Sequence, residues 1–500
     1  MIPSALPTSA QWAALMPILF PALAATLIPL ALLDKDAGVQ KWIRAGVYAV
    51  ALFALGASFM FLTELWGKGA QPSYLQLRLD YLGQFTGIFI VVAAALALLQ
   101  SWDHFHQEGW VKGETVSLLL FSVSGMMVFA STTNLLVLFL GLELFSIPLY
   151  ALTATLRSRA SSSEGGLKYF LTGAVAVACF LMGIVILYGL TGTLDLVVMR
   201  GQVNGPFGDP LFIVGIGLLL VGFLFKVSAA PFHQWTPDVY VAAPHPIAGF
   251  MSVATKGVAV VALIRAFPGL TAWGPVLGPK VQGVFMLVAV LTLVVANLTA
   301  LVQTSAKRML AYSSISHAGY LVLGLVAGTP GAFSGMLLYL AIYLAMNMGA
   351  FGLFTAFGLV GEKDTYEDLR GLGWRHPLMG LCAALILFSL AGVPPLGGFY
   401  GKYMIFKELV ATGHVNLAIL GVLASLVSMG YYLRFIVALF LQAPTPGQER
   451  EAAEAPEIQA SLARGTVLVA AILVVAGGFM QTVLVDGFAF RAVQGLLGLR

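Results

Sequence analysis

The sequence predicts an all-α polytopic membrane protein of about fourteen transmembrane helices. Three observations carry that expectation. Hydrophobic residues make up 59% of the 500-residue chain and charged residues only 10%, against about 25% charged in a soluble domain. The apolar residues fall into long runs, each near the ~20 residues that a helix needs to cross a bilayer. None of the runs alternates strictly, as the strands of a barrel would, so the backbone groups in lipid must be satisfied within helices.

The runs are, in order, roughly 12–33, 42–63, 81–101, 115–132, 134–156, 168–190, 211–230, 246–267, 281–304, 309–328, 331–359, 376–396, 415–441 and 465–485. No basic segment precedes the first, so it reads as a retained span and not a cleaved signal. The loops between odd and even spans (1–2, 3–4 and onward) carry fourteen Lys and Arg, and the opposite side carries eight. The bias puts the odd loops in the cytoplasm and both termini on the outer, periplasmic side of a bacterial cell membrane. The net charge of +4 is scattered and suggests no nucleic-acid partner. Cys179 and Cys382 lie in apolar runs without disulfide, metal or iron–sulfur spacing and read as packing residues.

The charges left inside or beside the spans carry the functional argument. They are Glu143 in the fifth run, Lys226 in the seventh, Lys256 in the eighth, Lys402 near the twelfth and Arg434 in the thirteenth. A charge at the bilayer centre costs roughly 2.5–3.5 kcal/mol on insertion scales, so such groups face the bundle interior, a partner or water. One reading is a buried ion pair with two lysines snorkelling to an interface, Lys402 being the best placed to do so. The other is a proton relay, because burial and like-charge neighbours bring a lysine towards the pH at which it exchanges its proton. Arg434 stays charged and suits an anchor.

Two spans are broken. Lys226-Val-Ser-Ala-Ala-Pro231 interrupts the seventh and Ala391-Gly-Val-Pro394-Pro395-Leu-Gly397 the twelfth. Proline removes a donor and clashes with the preceding turn, and paired interruptions point to a transport site. The breaks are five spans apart, which suggests two five-helix repeats, spans 4–8 and 9–13, inverted relative to each other. Arg265 late in span 8 and Arg434 in span 13 echo that repeat. The domain expectation is 1–110 for an N-terminal three-helix segment, 111–270 and 271–442 for the repeats, and 443–500 for a linker and last helix.

His317, among hydroxyls in Tyr312-Ser-Ser-Ile-Ser-His317, could relay a proton between the halves or serve structure. His233 and His245 weigh towards structure, while His104, His106, His376 and His414 lie at loops or span edges. The segments 361–370 and 443–460 read as solvated loops. Neither a Walker loop nor a dinucleotide fingerprint is present.

Three stretches resemble a known family: Phe225-Lys226-Val-Ser-Ala-Ala-Pro-Phe-His-Gln-Trp-Thr-Pro-Asp238, Lys307-Arg-Met-Leu-Ala-Tyr-Ser-Ser-Ile-Ser-His-Ala-Gly319, and Gly392-Val-Pro-Pro-Leu-Gly-Gly-Phe-Tyr-Gly-Lys402. They are similar to the signatures of the antiporter-like membrane subunits of respiratory complex I, the proton-translocating NADH:quinone oxidoreductase. Mrp-type sodium/proton antiporters share such motifs and are the alternative, and a non-translocating membrane scaffold is a third. The lysine in span 12, and an end after fourteen spans with no lateral helix, favour one branch of the complex I family. The resemblance implies a Glu143–Lys226 pair, Lys256 as central relay, His317 on the path, and Lys402 as terminal carrier. It implies no cofactor on this chain. FMN, iron–sulfur clusters, NADH and quinone would belong to partner subunits, with a neighbouring antiporter-like subunit alongside.

Overall fold

The computed structural model describes residues 7–31, 37–66, 68–69, 74–107, 113–156, 159–202, 208–359, 361, 363–444, 460–480 and 489–497. Of the loop charges counted above, Lys35, Lys112, Arg157, Arg450 and Arg500 lie outside the described residues, as does most of the 443–460 segment. The long helices are α1 Ser9–Ala31, α2 Ala37–Trp66, α3 Tyr81–Gln107, α4 Gly113–Ala130, α5 Leu135–Thr153 and α6 Ala160–Thr191. Helix α7 comes in two halves, Pro210–Val227 and Trp235–Ala242. Then follow α8 His245–Ala266, α9 Gly274–Leu301, α10 Ala306–Ala327 and α11 Pro330–Ala356. Helix α12 is again halved, Pro377–Ala391 and Gly397–Ala411, before α13 Val415–Phe440 and α14 Ser461–Phe479.

Thirteen helices among the described residues are long and apolar enough to cross a membrane. The other expected span is α12, whose 15-residue halves are each too short alone. Its second half was not legible as a helix, because Gly397-Gly-Phe-Tyr-Gly-Lys402 interrupts the apolar run.

Burial sorts the helices into an axis and a rim. The hydrophobic window of α8 is wholly buried and those of α10 and α11 are 94% buried, while that of α6 is only 33% buried. Leu136, Leu140 and Ile147 on α5, and Phe170, Val175 and Val185 on α6, are exposed. With lipid as solvent there is no penalty for that rim. Packing between helices then depends on close approach, which small residues permit. A Cβ on Gly125 of α4 would meet Phe145 N at 2.5 Å, and one on Gly141 of α5 would meet Phe129 N at 2.8 Å. These contacts fix α5, and so Glu143, against α4.

The expected repeat shows in matched backbone bonds. Leu135 N donates to Leu194 O at 2.8 Å and Leu196 N to Thr133 O at 3.1 Å, tying the start of α5 to the segment after α6. Ala306 N donates to Asp364 O at 2.8 Å and Tyr366 N to Thr304 O at 3.4 Å, tying the start of α10 to the segment after α11. Side chains of Asn134 and Ser305 cap α5 and α10. Ser228 and Gly392 end the first halves of α7 and α12 in the left-handed region, with φ of 64° and 86°. There Ala229 N returns to Leu224 O and Val393 N to Phe388 O, both at 3.0 Å. The arginine echo is also physical: Arg265 Nε bonds Ala130 O, the last carbonyl of α4, and Arg434 bonds Leu301 O and Gln303 O at the end of α9.

Candidate functional site

Aligned on these breaks, Lys226 and Lys402 are not counterparts. Lys226 is in the last turn of the first half of α7, whereas Lys402 is in the second half of α12. Both are buried, at 1% and 3% exposure. Lys402 does not snorkel. Its side chain turns back to the break, where Nζ donates to Leu390 O at 3.0 Å, Ala391 O at 3.2 Å and Ser425 Oγ at 2.9 Å. The carbonyls that end a helix are the negative pole of its dipole, so this is a cation site made by the break itself. The Tyr320 ring lies 4.7 Å from Nζ. Lys402 and Ser425 also line a cavity of about 700 Å³ between α12 and α13.

Lys226 has a different environment. Its Nζ lies 5.2–5.5 Å from the rings of Tyr169, Phe145, Tyr150 and Phe225 and has no hydrogen-bond partner. Glu143 Oε1 also lacks one. Glu143 on α5 and Lys226 on α7 feel each other's charge but are not joined by a hydrogen bond. Buried hydroxyls of Tyr169 and Ser228 are likewise without a partner among the described residues. Unpaired buried polar groups cost about 1–3 kcal/mol each, so this region holds a reserve of unmade bonds.

Lys256 begins the regular part of α8 just after a π-helical turn, Met251–Thr255. Such turns recur at functional sites. Its Nζ donates to Ser314 Oγ, which also accepts from Tyr343 Oη at 3.0 Å. One turn on along α10, His317 is bonded through both ring nitrogens, Nδ1 with Tyr339 Oη and Nε2 with Tyr432 Oη at 3.0 Å. Tyr432 in turn bonds Ser313. Another turn on is Tyr320, over Lys402. Ser314, His317 and Tyr320 stand at successive i, i+3 positions, hence on one face of α10. Tyr339 and Tyr343 stand i, i+4 on α11 facing them. The line Lys256, Ser314, His317, Tyr320, Lys402 thus runs from α8 along α10 to α12, with the α11 tyrosines beside it.

Sequence reasoning singled out Glu143, Lys226, Lys256, His317 and Lys402 but missed Ser314, Tyr339, Tyr343, Tyr432 and Ser425. The regular spacing of Tyr339, Tyr343 and Asn347 in an otherwise apolar helix was the available signal. His104, read as a span-edge residue, is 1% exposed in α3, with its ring 5.2 Å from that of His245. Two carboxylates were also passed over. Buried Asp103 caps α14 through Ala463 N at 2.7 Å, and Glu408 on α12 accepts from Thr329 at 2.6 Å.

Residues 132–428 match the family model described as NADH:quinone oxidoreductase/Mrp antiporter, TM. NADH-quinone oxidoreductase subunit N of Salinibacter ruber is 42% identical over 429 residues, 84% of each chain. The subunit N of Trichlorobacter lovleyi is 41% identical over 424 residues, 83% of each. The chain belongs to the subunit N family of NADH-quinone oxidoreductase. A chain of respiratory complex I from Thermus thermophilus, solved with bound aureothin, superimposes with a TM-score of 0.77 at 33% identity, covering 94% of this chain and 98% of that one. A chain of the Mrp complex from Dietzia sp. DQ12-45-1b has a TM-score of 0.81 at 18% identity and shares the fold. Among the family's two branches, the extended sequence identity lies with subunit N, and the chain is a multi-pass membrane subunit of the complex I type.

Proposed function

We propose that this subunit N moves protons through the membrane arm of NADH:quinone oxidoreductase along the α10–α11 line, gated by Glu143 and Lys226. The observation that carries the reading is the alignment along one face of α10 of three groups: Ser314, bonded to Lys256; His317, bonded to Tyr339 and Tyr432; and Tyr320, whose ring lies over Lys402. Serine and tyrosine hydroxyls donate and accept, and a histidine bonded at both nitrogens can take a proton at one and release it at the other.

The switch rests on charge. Two unit charges 4 Å apart interact by about 4 kcal/mol at an effective dielectric of 20, and about 1.4 kcal/mol is tenfold in a protonation equilibrium. When Glu143 closes on Lys226, the lysine is screened and held charged. When they part, as here, unscreened Lys226 disfavours a charge on Lys256 and drives its proton towards His317 and Lys402. Lys402 is the terminal carrier, its charge received by the helix-end carbonyls beside the cavity between α12 and α13. The spans 111–270 would form the inward half-channel and 271–442 the outward one, with odd loops cytoplasmic and both termini periplasmic. Oxidation of NADH and reduction of quinone, with FMN and iron–sulfur clusters, would take place on partner subunits, a neighbouring antiporter-like subunit among them.

The test is a charge-neutralising scan, Glu143→Gln, Lys226→Gln and Lys402→Gln, in the assembled complex. The reading expects normal assembly with NADH-driven proton transport down about tenfold or more. Loss of assembly with transport intact in whatever assembles would mark the charges as scaffolding.

A further inference from the structure

The last turns of α3 place Gln100, His104 and Gln107 at i, i+4 and i+7, hence on one face. Gln100 and His104 are buried and Gln107 is half-buried. That face meets α11. Gln100 Nε2 donates to Met348 O at 3.0 Å and to Thr466 Oγ1 of α14 at 3.1 Å, and Gln107 Nε2 donates to Thr355 O at 3.3 Å. Gly352 permits the approach, since a Cβ there would meet Gln100 Nε2 at 2.6 Å. Alongside is the start of α8, where His245 is buried with its ring 5.2 Å from that of His104. The charged groups acting on His245 are Lys307, whose Nζ donates to Val241 O and Ala243 O, and Arg159, which donates to Gly361 O.

This seam has more polar atoms than bonds. Gln100 Oε1, Gln107 Oε1, His245 Nδ1, Thr355 Oγ1 and both amide atoms of Asn347 are buried without a hydrogen-bond partner among the described residues. Polar side chains that only hold membrane helices together bond one another across the interface. Those of the seam leave several atoms over, at a cost in free energy. Such atoms line a path for water, each molecule of which takes about three polar partners.

The seam has two ends. Asn347 lies one turn beyond Tyr343 on α11 and faces its hydroxyl, and Tyr343 bonds the Ser314 that holds Lys256. At the other end, Gln107, Thr355 and His245 adjoin the 3–4, 11–12 and 7–8 connections, all of them on the side that the basic-residue bias assigns to the cytoplasm.

We propose that this seam is the proton inlet of the relay, a file of water between α3, α8 and α11 that passes His104 and His245 and reaches Lys256 by way of Asn347 and Tyr343. The inlet rests on the relay proposed above and gives it a source of protons. Helix α8 belongs to the inward unit, and α3 and α11 complete the path. Each hop forms one N–H or O–H bond and breaks another, so the proton that enters reloads Lys256 Nζ after its own has left towards His317. The histidines take a proton at one ring nitrogen and release it at the other, while the amides and hydroxyls orient the water between them.

Two measurements on the assembled complex test the inlet. Radiolytic hydroxyl labelling in heavy-oxygen water marks side chains beside bound water, and NADH-driven proton transport is read in sealed vesicles. Labelling is expected on peptides carrying His104, His245 and Tyr343. In Q100L/N347L both labelling and transport should fall about tenfold, the effect of about 1.4 kcal/mol, while Q100N/N347S, which keeps polar groups in place, should retain most of both. A dry seam in the unaltered complex, transport unchanged in assembled Q100L/N347L, or an equal loss in Q100N/N347S would each overturn the inlet. If the leucine pair fails to assemble, His245→Phe and His245→Asn take the places of the apolar and polar variants and are read in the same way. Lys256→Gln, measured alongside, separates the inlet from the relay. Transport kept in that variant refutes the relay itself, whereas transport lost there and kept in Q100L/N347L refutes the inlet alone.

Discussion

The two broken-helix units share a backbone plan and differ in how they hold charge. In the second, Lys402 makes three hydrogen bonds and His317 makes two. In the first, Lys226 sits among aromatic faces with no hydrogen bond, and Glu143 and Tyr169 carry polar atoms without a partner. The arginines invert the contrast. Arg265 of the first unit is 2% exposed and holds Asp80 through two bonds of 2.7 Å, while Arg434 of the second is exposed and bonds carbonyls and the Tyr366 ring. The second unit is not fully bonded either, since Tyr320 Oη and the Asn347 amide have no partner among the described residues, so the contrast lies in the charged groups themselves. On the proposed function, the first unit would do the switching and the second the carrying.

The largest effect should come from cutting the carrier. Ser314→Ala with Tyr343→Phe removes the hydroxyls joining Lys256 to α11, and hydrogen bonds to a charged group are worth about 1.5–3 kcal/mol. NADH-driven proton transport by the assembled complex should drop about tenfold or more, and unaltered transport would remove the distinction between the units.

Next comes the anchor of the first unit. Asp80→Asn leaves Arg265 buried without its partner and should destabilise the chain by about 3 kcal/mol, read as a lower thermal midpoint in detergent. Arg434→Gln should cost under about 1 kcal/mol, because its site is exposed. Burial alone would raise the Asp80 carboxyl, but the Arg265 guanidinium and the Gly83 amide outweigh it and hold it below the usual range. A depressed acid stabilises the fold above its unfolded pKa of about 4, and that contribution is lost as pH falls through the folded value. The gap between the original chain and Asp80→Asn should therefore be full at neutral pH and shrink below about pH 4, measured by unfolding across that window.

The smallest effect should be Tyr169→Phe, which removes an unpaired buried hydroxyl. It should be neutral or stabilising by about 1 kcal/mol or less in thermal unfolding. A loss of about 1.5 kcal/mol or more, the worth of a hydrogen bond to a charged group, would mean that the first unit is wired like the second.

The sequence revealed the charged residues of the site because a charge in an apolar run stands out against a cost of several kcal/mol. Both breaks were legible because proline there stands among small residues and glycine, in Ser-Ala-Ala-Pro231 and Gly392-Val-Pro394-Pro395, whereas proline alone is carried inside α5 and α9. The hydroxyl partners were not. Ser314 and Tyr343 belong to residue types that in many helices bond only locally, and only the packing of α10 on α11 turns them towards Lys256. The turn of Lys402 towards the break was hidden too, because run length measures distance to a span edge and not the direction of a side chain. The matched bonds at 135–194 and 306–364 were beyond reach, being backbone contacts that hardly depend on which residues make them.

The most direct measurement is the number of protons moved per electron by the complex carrying Lys256→Gln, reconstituted in sealed vesicles and driven by NADH. This position joins the switching unit to the carrying one. The account predicts complete assembly with either fewer protons per electron or collapsed coupled turnover. Assembled complex that keeps both the original ratio and the original turnover would contradict it.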